Sequence, residues 1–309
     1  MAYRTGGAFR RALEDRLRAR SLRTGAPLVR MRKMVVFDRF LARLIQDQPD
    51  AWVLKGGLAL QLRLGRRART TKDIDVLLTT PYDGLHLIHQ ALVRAALLDL
   101  GDWFQFEVEG PAADTPEEPI GGVRFTVRAL LDGRRFETFH IDVGWGDPLV
   151  GPADTLTTPA LLAFAGIRPT AIPCYPLTQQ LAEKAHAYTR PHATGEGSRV
   201  KDLVDILLIA ELGQIDGQLL QQALQATFGK RKTHQMPSRL ADPPSTWSAP
   251  FRRLADETGL SYRMLADAGE AASRFLDPVL RGESAGMWDP ATWSWLPLRS
   301  TPARDIGCC

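Results

Sequence analysis

The chain has 309 residues and a mass of 34.2 kDa, room for one large or two modest domains. With 44% hydrophobic and 24% charged residues it has the make-up of an ordinary globular protein, which excludes wholesale disorder. Its longest apolar stretches, such as Leu161 to Ile167, fall far short of the ~20 residues that span a bilayer, so no membrane partner is expected.

In chain order, Phe9, Leu13 and Leu17 recur at helical spacing and predict a basic amphipathic helix over 7–20. A second helix fits 29–47, with Met34, Phe37, Leu41, Leu44 and Ile45 on its apolar side, stopped by Gln48-Pro49-Asp50. Residues 51–55 read as a short buried strand that runs into Gly56-Gly57 and a short helix, 58–64. A polar, basic connection follows over 66–71, then a strand at 73–79 and a helix at 83–100. Strands are expected at 103–109, 123–131 and 135–143, with a Pro- and acid-rich loop over 110–122 and a turn at Asp132-Gly133. From Gly151 onward the pattern becomes helical: a short helix at 159–166, an extended piece at 171–176, and helices at 178–189, 199–212, 216–228 and 261–281. Trp247, Trp288, Trp293 and Trp295 are expected to pack the tail onto the body, with base stacking as the alternative. The expected class is therefore α/β (α+β): a mixed sheet with flanking helices over 1–150, then a mainly helical domain over 151–309.

Charge is uneven along the chain. Residues 1–72 hold 18 Lys/Arg against 5 Asp/Glu, whereas the whole chain holds 39 against 35. Such a basic quarter suits a polyanionic partner, or else a set of solvated helix faces. Only seven residues are lysine, and Lys55, Lys72, Lys184 and Lys201 fall in the segments that carry the chemistry below. Cys174, Cys308 and Cys309 have neither zinc spacing nor a disulfide framework, and residues 1–20 lack the apolar core of a secretory signal. A cytoplasmic location is expected.

The informative segments are Lys55-Gly-Gly and Asp73-Ile-Asp. A strand that ends in two glycines and turns straight into a helix lets backbone N–H groups approach a phosphate, helped by the helix N-terminus; a ligand-free tight turn is the plainer reading. Asp73 and Asp75, at i and i+2 of a strand, project to one face about 6.5–7 Å apart. Oxygen-only ligation of that kind suits Mg²⁺, unless the pair simply ends an edge strand in solvent. Asp142 alternates with Ile141 and Val143 on a later strand. Beside Asp73 and Asp75 it would complete a metal-binding trio for two ions and accept a proton from an attacking hydroxyl. His140 shares its face as a neighbour.

These residues match a known pattern. Gly-Gly, a short helix, Asp-x-Asp and a later Asp resemble the nucleotidyltransferase superfamily that includes DNA polymerase β. The ordered motifs Leu54–Leu60, Arg69–Asp75, Ile141–Asp147, Leu181–Tyr188 and Arg199–Asp205 are more closely similar to the AbiEii/AbiGii family of bacterial toxin–antitoxin and phage-abortive systems, which includes mycobacterial tRNA-modifying toxins. The likeness covers most of residues 9–212. Leu58 departs from the wider superfamily, where many members carry Ser, so backbone amides must serve the phosphate. The resemblance implies a Mg²⁺-dependent transfer of NMP from an NTP to an RNA acceptor, the tRNA 3′ end, with a cognate antitoxin as partner. It gives Lys55, Gly56 and Gly57 to the phosphates. It places Lys184 and Asp202 in the active cleft between the domains, Lys184 on the triphosphate and Asp202 either positioning Lys184 or assisting the chemistry. Transfer to a protein or small-molecule hydroxyl, and a non-catalytic nucleotide- or RNA-binding regulator, stay open as alternatives.

Overall fold

The computed structural model describes residues 3–80, 84–111, 122–191, 199–283 and 286–297. Cys308, Cys309, Asp83 and most of the 110–122 loop lie outside them. The chain forms two compact units, Met1–Pro176 with Glu257–Gly259, and the remainder.

In the first unit α1 spans Gly6–Thr24. Thr5 caps it by accepting from the Ala8 N–H, and Gly25 ends it in the left-handed conformation. Helix α2 runs Leu28–Asp47 and is followed by β1 (Trp52–Lys55), α3 (Gly56–Leu64) and β2 (Asp73–Leu78). Then come α4 (Leu85–Ala96), β3 (Phe104–Pro111), β4 (Gly122–Leu131), β5 (Arg134–Trp145), β6 (Asp154–Thr157) and β7 (Ala171–Cys174). The seven strands form one sheet in the order β3-β4-β5-β2-β1-β7-β6. Its centre is mixed: β2 runs parallel to β5 and antiparallel to β1, and β1 runs parallel to β7.

Period-2 alternation divides the sheet's faces. Ile74, Val76, Phe125, Ile141 and Val143 join the apolar residues of α1, α2 and α4 in one core. The residues between them, including Asp73, Asp75, His140, Asp142 and Arg124, therefore turn to the other face. In the β4–β5 hairpin, Leu131 pairs with Arg134, but the register slips by one residue between Ala129 and Leu130. This bulge brings Arg124 opposite Asp142.

Sequence reasoning ended the first domain at 150. Strands β6 and β7 instead complete the sheet, so the first unit runs on to Pro176. Strand β6 escaped notice because Asp-Thr-Leu-Thr at a sheet edge turns only Leu156 partly inward. The short helix expected at 159–166 is a single 3₁₀ turn, Ala163–Ala165.

The second unit holds α5 (Leu177–Thr189), α6 (Arg199–Leu212), α7 (Gly217–Arg231), all but the last two residues of α8 (Ser248–Thr258), α9 (Leu265–Leu280) and a hairpin, β8 (Gly286–Asp289) with β9 (Ser294–Pro297). The tryptophans pack it as expected. Trp288 is fully buried and donates to the Ala210 carbonyl at 2.9 Å, while Trp293 and Trp295 donate to carbonyls of α9. Among the described residues no helix is long and apolar enough to cross a membrane.

A buried polar network ties α2 across the first unit. Arg43, with no exposed side-chain surface, holds Asp102 through two bonds of 2.9 and 2.8 Å and also donates to the Leu98 and Phe104 carbonyls. Asp38 accepts from Thr158 and from the Thr170 N–H, joining the same helix to the segments around β6 and β7. Asp102→Ala strands a guanidinium inside the core, and we expect a loss of ~3–5 kcal/mol. Urea unfolding reads this directly: a midpoint equal to that of the unaltered protein contradicts the account.

Candidate active site

The site starts at the junction of β1 and α3. Gly56 has φ +64°, and a Cβ built on it would collide with the Asp75 carboxylate. Glycine is thus required both by the backbone and by the carboxylate pressed against the turn. The Gly57 N–H, at the start of α3, points at Asp75 Oδ2 from 3.4 Å, so a carboxylate lies at the helix N-terminus where an anion is favoured. Leu58, at the position where a hydroxyl was noted as missing, is buried in the core and takes no part.

The strand registers place four charged residues in one row across the sheet. Lys55 pairs with Asp75, Asp75 with Asp142, and Asp142 with Arg124. One pleat along, Asp73 pairs with His140 and His140 with Thr126. The three carboxylates predicted from sequence are therefore brought to one face, and His140 is their neighbour, its Nδ1 3.1 Å from Asp73 Oδ1.

Two cations flank the row. Lys55 Nζ lies 2.6 Å from Asp147 Oδ2, with both side chains largely buried, and 5.5 Å from the centre of the Tyr175 ring. Arg124 grips Asp142 with two bonds of 2.7 Å, one to each oxygen, and its Nη2 is 4.0 Å from Asp73 Oδ2. Its pKa is raised above the usual arginine value, first by the hydrogen bond to Asp142 and then by the charges of Asp142, Asp73 and Asp75. The sequence pattern alone singles out neither Arg124 nor Asp147, although Asp147 closes the motif Ile141–Asp147.

Three carboxylates supply hard oxygen donors of the kind Mg²⁺ prefers, and the guanidinium among them marks a place that attracts positive charge. The donor set fits a divalent ion in kind. Among the described residues, however, no three ligating groups are drawn together tightly enough to grip one as they stand.

In the second unit, Lys184 of α5 lies 2.9 Å from Asp202 Oδ1 and 2.8 Å from Asp205 Oδ2, both on α6. Arg199 also reaches Asp202, at 3.3 Å. The predicted pair is joined, and Asp205, buried at the base of the contact, is an addition. The spacing of Asp202 and Asp205, three residues apart on one helix, was the available signal.

The basic first quarter is less free than its composition implied. Arg10 donates to the carbonyls of Leu131, Arg134 and Arg135, Arg32 to that of Phe136, and Arg66 to that of Thr24. Arg18 pairs with Glu14 and Asp15. Arg11, Arg20 and Arg23 are exposed on α1.

A family model described as nucleotidyl transferase AbiEii toxin, type IV toxin–antitoxin system, matches residues 39–295. Among solved structures, MenT4, a nucleotidyltransferase toxin from Mycobacterium tuberculosis H37Rv, superposes with a TM-score of 0.51 at 17% identity, covering 87% of this chain and 98% of its own. JHP933 from Helicobacter pylori matches with a TM-score of 0.42 at 14% identity, over 81% of this chain and 92% of its own. No curated protein matches. At 17% identity the likeness to MenT4 speaks for the fold alone.

Gly25 and Gly56 share a left-handed backbone, but a Cβ at Gly25 meets nothing within 4 Å. Gly25→Ala should cost ~1 kcal/mol for the backbone alone. Gly56→Ala should cost clearly more, ~2–3 kcal/mol, because it also displaces Asp75. Equal losses in denaturant unfolding contradict the carboxylate contact.

Proposed function

The chain belongs to the AbiEii family of nucleotidyltransferase toxins of type IV toxin–antitoxin systems, and on that premise we propose that it moves an NMP from an NTP to the 3′ end of tRNA, blocking translation. The acceptor hydroxyl attacks the α-phosphate, the new O–P bond forms, and the bond to the β-phosphate breaks to release pyrophosphate. The observation that carries this reading is the row Lys55–Asp75–Asp142, with Asp73 one pleat away, beside the Gly56-Gly57 turn.

Asp73, Asp75 and Asp142 would hold Mg²⁺, two ions in the full reading, which neutralise phosphate charge and ease ionisation of the acceptor hydroxyl. Asp142 takes the hydroxyl proton. Lys55 exchanges its partner Asp147 for a phosphate oxygen, and the amides at Gly56 and Gly57 receive another. Lys184 would act as a point charge for the leaving pyrophosphate, a role that rests on the family motif; in its own unit the ammonium is held by Asp202 and Asp205. Acceleration by such a site is mainly positioning and electrostatic stabilisation.

Of the exposed arginines of α1, Arg11, Arg20 and Arg23 are the candidates for RNA phosphates; Arg18 pairs with Glu14 and Asp15, Arg16 lies over the Phe164 ring, and the partly buried Arg10 is bound to three carbonyls. The cognate antitoxin and a cytoplasmic setting complete the proposal.

Asp75→Ala should lower transfer of labelled nucleotide by about a thousandfold or more while leaving the circular dichroism spectrum unchanged. Near-normal transfer in that variant overturns the site. With total cellular RNA, protein extract and all four labelled NTPs, label is expected on RNA of tRNA size. Label confined to protein or to a small molecule overturns the acceptor. Binding of that RNA should weaken steeply with salt, and the triple Ala variant at Arg11, Arg20 and Arg23 should flatten the slope.

A further inference from the structure

We propose that Arg124 is a resident counter-ion of the carboxylate face, which holds Asp142 and Asp73 while the site lacks metal and gives way when a divalent cation enters. The inference rests on the reading of Asp73, Asp75 and Asp142 as metal-binding residues.

Its physical ground is the charge row. Asp75 and Asp142 are register partners on neighbouring strands, whose spacing is ~4.8 Å, so their like charges repel unless cations lie beside them. On one flank the Lys55 ammonium is engaged by Asp147. On the other, Arg124 covers both oxygens of Asp142 at 2.7 Å and reaches toward Asp73 at 4.0 Å. Those are the oxygen lone pairs through which Asp142 would bind a metal, so the guanidinium and the ion compete for the same donors. The side chain of Arg124 is 45% exposed, against 30% for both Asp142 and Asp73. It can swing into solvent from the outer end of the row without opening the core. A buried arginine such as Arg43 has no such exit.

Exchange of a single positive charge for a double one leaves the face better neutralised once an NTP brings further negative charge. Without metal, the guanidinium keeps the carboxylates from driving one another apart. Arg124 therefore weakens metal binding and supports the empty site, two effects with opposite sign that one substitution separates.

The test uses the full chain without nucleotide and Mn²⁺ as the probe, followed by electron paramagnetic resonance. Arg124→Gln should tighten the Mn²⁺ Kd about tenfold, the low end of what a charge-assisted bidentate pair is worth after solvent screening. Arg124→Lys keeps the charge but loses the fork and should fall between the two. In chelator Arg124→Gln should melt below the unaltered protein, and added Mg²⁺ should restore more of its melting temperature than it adds to the unaltered protein. Should Arg124→Gln be too unstable to purify, Arg124→Lys carries the comparison, and a Kd equal to that of the unaltered protein then overturns the proposal. If all three proteins bind Mn²⁺ equally, and Asp75→Asn abolishes that binding, the metal site stands and the counter-ion role falls. If none binds Mn²⁺, the metal reading fails and the exchange fails with it.

Discussion

The in-register parallel pairing of β2 with β5 is the constraint on which the site depends. It sets Asp75 beside Asp142 and Asp73 beside His140, while Ile74, Val76, Ile141 and Val143 enter the core on the opposite face. A one-residue slip would turn every one of these side chains to the other face, burying carboxylates and exposing isoleucine and valine. The core therefore enforces the register, and the register enforces the proximity of like charges. Apolar burial of about 25 cal/mol per Å² across four central strands easily outweighs the repulsion of a few partly solvated carboxylates. The flanking cations reduce that repulsion further.

Anchoring comes from α2. Its apolar side packs into the same core as the strands, and its buried Asp38 and Arg43 fasten the segments around β6, β7 and the start of β3. Each of these polar groups is satisfied by several partners, which is the condition for charge to be tolerated in a protein interior. The N-terminal arginines behave in the same way at the surface. Arg10 and Arg32 close over the Phe136 ring and bond the carbonyls around it, so much of the basic quarter works as a clamp on the β4–β5 hairpin.

The three carboxylates were legible in the sequence because period-2 alternation with buried neighbours is a local signal. So was the Gly-Gly turn, where the amino-acid type itself reports a backbone need. Lys184 and Asp202 came from the family motifs alone, since nothing local links residues 18 apart on separate helices. Arg124 escaped because its partner is set by a hairpin irregularity. A two-residue turn at Asp132-Gly133 continued without interruption would set Arg124 against Ile141. The clue was present as a break in apolar parity: Phe136 is buried at an even position, whereas Phe139, Ile141 and Val143 are buried at odd ones. Helix α8 was hidden by its opening Ser-Ala-Pro among other prolines. The β8–β9 hairpin was hidden by its brevity, its tryptophans being readable as packing but not as strands.

That parity break carries a consequence for how the hairpin tolerates change in length. Removing one residue between Arg134 and Phe136 would merge the two phases of β5 into one continuous alternation. The strand could then keep its aromatic ring at the tip indoors, or keep arginine facing aspartate, but not both. A supernumerary amino acid about twenty ångströms of strand away from the carboxylates is thus what lets one ribbon serve greasy interior and ionic exterior together.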